Sequence, residues 1–138
     1  MNLDEIIKNI PSLLGALLVS ILFLQSGLDK LLDWKGNIEW LTGHFSKTFL
    51  RGMVPLMVAQ ITVIELAAGL MSAAGIVYFF ITGSLSLIFW ASVVGAAGIV
   101  ALFFGQRIAK DYPGAAVLVP YFILLIILML LTNPYSKI

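Results

Sequence analysis

The sequence predicts an all-α, polytopic membrane protein, a four-transmembrane-helix bundle with an interfacial amphipathic helix between spans one and two. Three observations predict it. Of the 138 residues 61% are hydrophobic and 11% charged, where a soluble domain carries about 25% charged. Mean hydropathy is +1.07. The apolar residues gather into four runs, each near the ~20 residues of helix needed to cross a hydrocarbon core about 30 Å thick. Residues 1–138 read as a single transmembrane domain. Its spans lie at about 11–32, 53–76, 84–104 and 114–131, and its interfacial segment at 34–50.

Met1 to Ile10 form a short amphipathic lead-in, and Pro11 suits the first turn of a helix. This segment is acidic before it is basic and no small-residue cleavage pattern follows, so span one is expected to stay in the mature protein. At ~100° per residue, Leu18, Leu22, Gln25, Ser26, Asp29 and Asp33 share one face of span one, with Lys30 to the side. Beyond it, Trp34, Ile38, Leu41, Phe45 and Phe49 recur at spacings of four and three. Lys35, Asn37, Glu39, His44 and Lys47 occupy the rest. An aromatic face opposite a charged one predicts a helix lying in the membrane interface. A loop with anchoring tryptophans is the alternative.

Span two, MVPLMVAQITVIELAAGLMSAAGI, carries Glu65 near its middle. At ~1.5 Å per residue the carboxyl lies ~15 Å or more from either surface. Insertion scales put a mid-span acidic residue at roughly 2.5–3.5 kcal/mol. Glu65 is therefore expected to be protonated, paired, or turned to a wet cavity between helices. The structural alternative is a neutral Glu that hydrogen-bonds a neighbouring helix and only holds the bundle together. Ile61, Ala68, Gly69 and Ser72 share its face, and small residues there let a partner helix approach.

No charge occurs from Leu66 to Gln106, with Gly83 and Ser84 the best turn residues between. Span three is two-faced. Ala91, Ser92, Gly95, Gly98 and Gln106 line one side, read as the bundle interior. Phe89, Trp90, Val93, Val100 and Phe104 line the other, read as lipid-facing. In the connector GQRIAKDYPG, Asp111 can cap the next helix and Pro113 suits its first turn. Span four is charge-free, and Pro120 is expected to kink it.

Measured from the side of the 1–2 and 3–4 connections, the polar residues form a graded series. Asp29, Lys30, Gln106 and Arg107 stand at the mouth, Gln25 and Gln60 perhaps 6–10 Å deeper at ~1.5 Å per residue, and Glu65 deepest. They read as ligand- or proton-binding candidates lining a polar funnel, or as interhelical glue worth about 0.6 kcal/mol per bond. Lys30 and Arg107 are expected to be too far from Glu65 for direct contact without stagger or tilt. With no cysteine and one histidine, His44, the chain offers no thiolate metal site and no bis-histidine haem site. No metal or nucleic-acid partner is expected.

At these residues a resemblance appears. SGLDKL at the end of span one, IELAAGLMSAAG in span two and QRIAKDYPGA before span four resemble the DoxX family of small four-helix membrane proteins, over nearly the whole chain. The resemblance falls on Gly27, Asp29, Lys30, Glu65, Gly69 and Gly114. It implies a four-helix bundle in a prokaryotic cytoplasmic (inner) membrane and kinship with the membrane subunit of thiosulfate:quinone oxidoreductase. The family carries no settled catalytic set to transfer, and with no cysteine here thiol chemistry would need a partner protein.

Three functions follow as expectations. The first is a membrane subunit that binds a quinone or other small amphipathic ligand for a partner oxidoreductase, with Glu65 as its proton-exchanging or hydrogen-bonding group. The second is a small proton-coupled transporter in which the mid-membrane Glu65 exchanges protons for a lipophilic cation. Such a protein would normally be a homo-oligomer, a dimer, and the charge bias between the two sides argues against a dual-topology one. The third is a non-catalytic scaffold or assembly factor. The lipid bilayer is the partner common to all three.

Lys30, Lys35, Lys47, Arg51, Arg107 and Lys110, six of the eight basic residues, fall on the connection side. Positive charge favours the cytoplasm, which puts both termini outside. A reporter active only in the cytoplasm, fused after Ile138, should be silent. An active reporter would invert the orientation.

Overall fold

The computed structural model describes residues 2–135 and is all-helical among them. Six α-helices follow in order: α1 (Leu3–Lys8), α2 (Ile10–Leu32), α3 (Trp34–His44), α4 (Val54–Thr82), α5 (Ser86–Ile108) and α6 (Tyr112–Thr132). Four of them, α2, α4, α5 and α6, are long and apolar enough to cross a membrane. Asn2 caps α1 by accepting from the Glu5 backbone N–H, and Pro11 sits in the first turn of α2. A 3-10 turn at Arg51–Met53 leads into α4.

Helices α4 and α5 run past the expected ends of their apolar stretches, at 76 and 104. Hydropathy marks where a helix meets lipid, whereas backbone hydrogen bonding continues until something stops it. For α4 that stop is Gly83, whose φ of +76° is left-handed and whose N–H bonds the Phe79 carbonyl at 2.7 Å. Glycine takes this conformation without a Cβ penalty. Asp111 caps α6 by accepting from the Gly114 N–H at 3.0 Å, with Pro113 in the first turn. The helix continues through Pro120.

Packing follows chain order, with α2 on α4, α4 on α5, α5 on α6, and a lighter α2–α6 contact closing the bundle. The interior is built from Ala16, Val19, Phe23, Ala68, Ile88, Ala96, Ile99, Leu125 and Leu128. Within α5 the small face is the buried one, including Ala91, Ser92, Gly95 and Gly98, while Trp90, Val100 and Phe104 are exposed. On α2 the buried face is Ser12, Ala16, Val19, Ser20, Phe23 and Gly27. The stripe through Leu18, Gln25 and Asp29 points outward instead. Leu22 and Ser26, expected on the same stripe, are half-buried instead, because the small residues beside them decide which side α4 can approach.

The seam between α2 and α4 is antiparallel and set by size. A Cβ on Gly69 would stand 2.9 Å from the Leu24 backbone nitrogen, and one on Gly27 would stand 2.6 Å from Leu66 Cδ2. Each helix thus offers a glycine to the other's leucine. Further along, Ser72 Oγ donates to the Ala16 carbonyl at 2.7 Å.

The segment after span one is helical only to His44. The apolar pattern runs on to Phe49, but the chain turns at Phe45, just past Gly43. The reason is tertiary. Phe45 and Leu50 fold back on Val54 and Val58 to make a second apolar cluster, against which Ile38 and Leu41 of α3 pack. Trp34, Trp40 and Phe49 remain exposed.

Gly69→Ala should push α2 off α4 and lower stability by about 1–3 kcal/mol, the usual cost of overpacking. Gly43→Ala, whose new methyl meets nothing within 4 Å, should be neutral or gain up to about 1 kcal/mol of helix propensity. Thermal unfolding of both variants in mild detergent checks the pair.

Candidate functional site

Lys30 and Glu65 meet directly. Lys30 Nζ lies 3.1 Å from Glu65 Oε1 and donates to Oε2 at 3.2 Å. It also donates to Ser26 Oγ, one turn back, at 2.9 Å. The sequence predicts that they meet directly only if the helices are staggered or tilted, and otherwise through water or a ligand; the contact is direct. Helical side chains lean toward the helix N-terminus. Because α2 and α4 are antiparallel, Lys30 leans into the bundle and Glu65 leans out toward the connection side, so the two converge. The glycine-leucine rungs just inside, Gly27 on Leu66 and Gly69 on Leu24, hold the helices close enough for them to meet.

The pair is sheltered, with side-chain exposures of 17% for Lys30 and 2% for Glu65. Among the described residues no buried side-chain nitrogen or oxygen lacks a partner. The polar interior is therefore closed on itself.

In front of the pair lies a cleft of about 300 Å³ on the connection side, between α4 and α5 and under the segment after α3. Its walls are apolar, including Leu41, Phe45, Leu50, Met57, Ile61 and Phe104. Lys30, Gln60 and Gln106 are the polar side chains that line it. Glu65 stands behind Lys30 and does not reach the wall.

The expected funnel is thus only partly assembled. Lys30, Gln60 and Gln106 share the cleft, with Glu65 behind. Gln25 and Asp29 are exposed on the outer face of α2. Arg107 is exposed too, and its guanidinium stacks 4.5 Å from the centre of the Tyr112 ring instead of turning toward Glu65.

Four contributors, Ser26, His44, Asp111 and Trp40, escaped the sequence reading. Ser26 anchors Lys30, a contact whose only trace is the i, i+4 spacing. His44 Nε2 donates to Gln106 Oε1 at 2.9 Å, and Asp111 Oδ2 lies 3.7 Å from the same nitrogen. Trp40 stacks on the ring from behind, with centroids 4.8 Å apart. His44 thereby clasps the end of α3 to the α5–α6 connector at the rim of the cleft. Residues 62 apart in sequence leave no local signal of such a bond. Among the described residues, no group of three or more His, Cys, Asp or Glu side chains is placed to hold a metal ion.

Removing one partner of a buried ion pair strands the other. Lys30→Met and Glu65→Leu should each cost about 3–5 kcal/mol, while the double variant should recover most of that loss. Chemical or thermal unfolding of the four proteins in detergent closes this cycle. Equal and additive losses would mean that the pair is not coupled. Compared with known proteins, the chain matches no family model, no curated protein and no solved structure.

Proposed function

We propose that this chain is a DoxX-like membrane subunit whose connection-side cleft binds the head group of a quinone or a similar small, neutral, amphipathic ligand on behalf of a partner oxidoreductase. The observation that carries the reading is Lys30 in the lining of a largely apolar cleft, its ammonium held by Glu65 and Ser26. An ammonium has three donors. Here they go to Glu65, to Ser26 Oγ and, at a long 3.5 Å, to the Ser26 carbonyl, and a ligand oxygen would take the place of that last, weak bond. Gln60 and Gln106 add amide donors on the same walls.

The charge of the pair selects the ligand. Lys30 and Glu65 together are neutral, so an anionic head group would bring an uncompensated charge into a sheltered site. A carbonyl oxygen brings none. The apolar walls suit a ring and the start of a tail. A quinone held there would supply two-electron redox capacity, and this chain's residues would bind it, orient its oxygen toward Lys30 and exclude water. The same pair weighs against a proton-coupled transporter, because a cationic substrate would have to displace Lys30 from Glu65.

In this reading the chain sits in a prokaryotic cytoplasmic membrane with both termini outside and the cleft opening at the cytoplasmic face. There α3 lies along the interface with Trp40, 63% exposed, toward the head groups.

Purification in mild detergent, with mass spectrometry of the extracted lipids and quinones, should find a quinone retained in near-stoichiometric amount. Binding of decyl-ubiquinone should weaken about tenfold or more in the folded Lys30→Met, Glu65→Leu double variant, the worth of a hydrogen bond to a charged group. Undiminished binding would remove Lys30 from recognition. Absence of both retained quinone and probe binding would leave the scaffold reading ahead.

A further inference from the structure

On the opposite side of α5 from the cleft, a second concavity runs between α5 and α6. It measures about 470 Å³ and is wholly apolar, with Val100 and Phe103 on one wall and Val119, Phe122, Ile123 and Ile126 on the other. Among the described residues nothing covers it, and Ile123 is 55% exposed. Along α6 its lining runs from Leu118 to Ile127, about 14 Å at ~1.5 Å per residue. That is the shape of a slot for a single extended chain.

The connector end of this slot is cationic. Arg107 lies seven residues beyond Val100, and Tyr112 seven residues before Val119. Two helical turns return to the same face within about 20°. Arg107 and Tyr112 therefore stand over the two walls of the groove, and the cation–ring contact at 4.5 Å bridges them. Tyr112 holds the guanidinium by its face, which leaves the in-plane N–H donors free, and no carboxylate lies within ion-pair distance among the described residues. Lys110, exposed on the same connector, adds a second positive charge.

We infer that this groove is a binding site for an anionic phospholipid, with one acyl chain laid between α5 and α6 and the phosphate held by Arg107. The acyl chain gains no hydrophobic energy by leaving bulk lipid, because the bilayer is as apolar as the groove. The groove therefore selects for fit alone, and discrimination among lipids falls to the head group. A guanidinium presents its N–H donors as a planar fork matched to phosphate oxygens. Basic pockets between transmembrane helices hold anionic head groups in this way. The site is independent of the quinone reading, since Arg107 and the groove share no residue with the cleft wall.

Native mass spectrometry of the full chain, mixed in detergent with chain-matched phosphatidylglycerol or phosphatidylcholine, tests it. The wild type should retain phosphatidylglycerol in preference. Arg107→Gln should lower that retention about fivefold, the worth of one cation at an anionic membrane surface. Arg107→Lys, which keeps the charge, should retain most of it. Ile123→Trp, which fills the groove at an exposed position, should lower retention of both lipids alike. Equal retention of the two lipids by the wild type would overturn the proposal, as would an unchanged preference in Arg107→Gln. A dimer that Ile123→Trp converts to monomer would also overturn it, by assigning the groove to a second copy of the chain.

Discussion

The close antiparallel contact of α2 and α4 is the constraint on which the rest of the structure depends. Inside a bilayer, burying apolar surface against another helix gains little, because lipid is an equally good solvent for it. Helices must be held by fit and by polar bonds. Here the fit comes from glycines opposed to leucines, and the polar bonds from Ser72 on the Ala16 carbonyl and from Lys30 on Glu65. The two are linked. Without the close approach at Gly27 and Gly69, Lys30 would not reach its partner, and Glu65 would stand alone in the bundle.

The same seam shapes the cleft. Because Lys30 is drawn inward, its side chain becomes part of the cleft wall. The reverse turn after α3 supplies the opposite rim by packing Phe45 and Leu50 onto the start of α4. His44 then joins that rim to the α5–α6 connector through Gln106 and Asp111. Asp111 serves twice, with one carboxylate oxygen capping α6 and the other facing His44. The connection side is thus a polar collar around an apolar hollow, while the far end carries α1 and the Gly83 turn among the described residues.

Its two concavities differ in chemistry for a simple reason. The cleft opens where α4 and α5 meet beneath the collar, so charged and amide groups reach its walls. The α5–α6 groove lies on the outer surface between charge-free stretches of two long apolar helices, and it meets charge where Arg107 emerges. Of the four long helices α6 buries the least. Its outward residues include large aliphatic ones such as Leu130 and Ile127.

Composition and periodicity by themselves determined that there are four long apolar helices, that Gly83 ends one of them, that Asp111 and Pro113 begin another, and that the small face of α5 points inward. These are local matters: hydropathy, backbone conformation and side-chain size act within a few residues. Only the tertiary structure decided which face of α2 is buried, that Gln25 and Asp29 look outward, that α3 stops at His44, and that Lys30 answers Glu65. A helical wheel gives the angle of a side chain about its own axis but not the height or tilt of the helix opposite. Those are set by where a neighbour can come closest, and at Gly27 and Gly69 that depends on both helices at once.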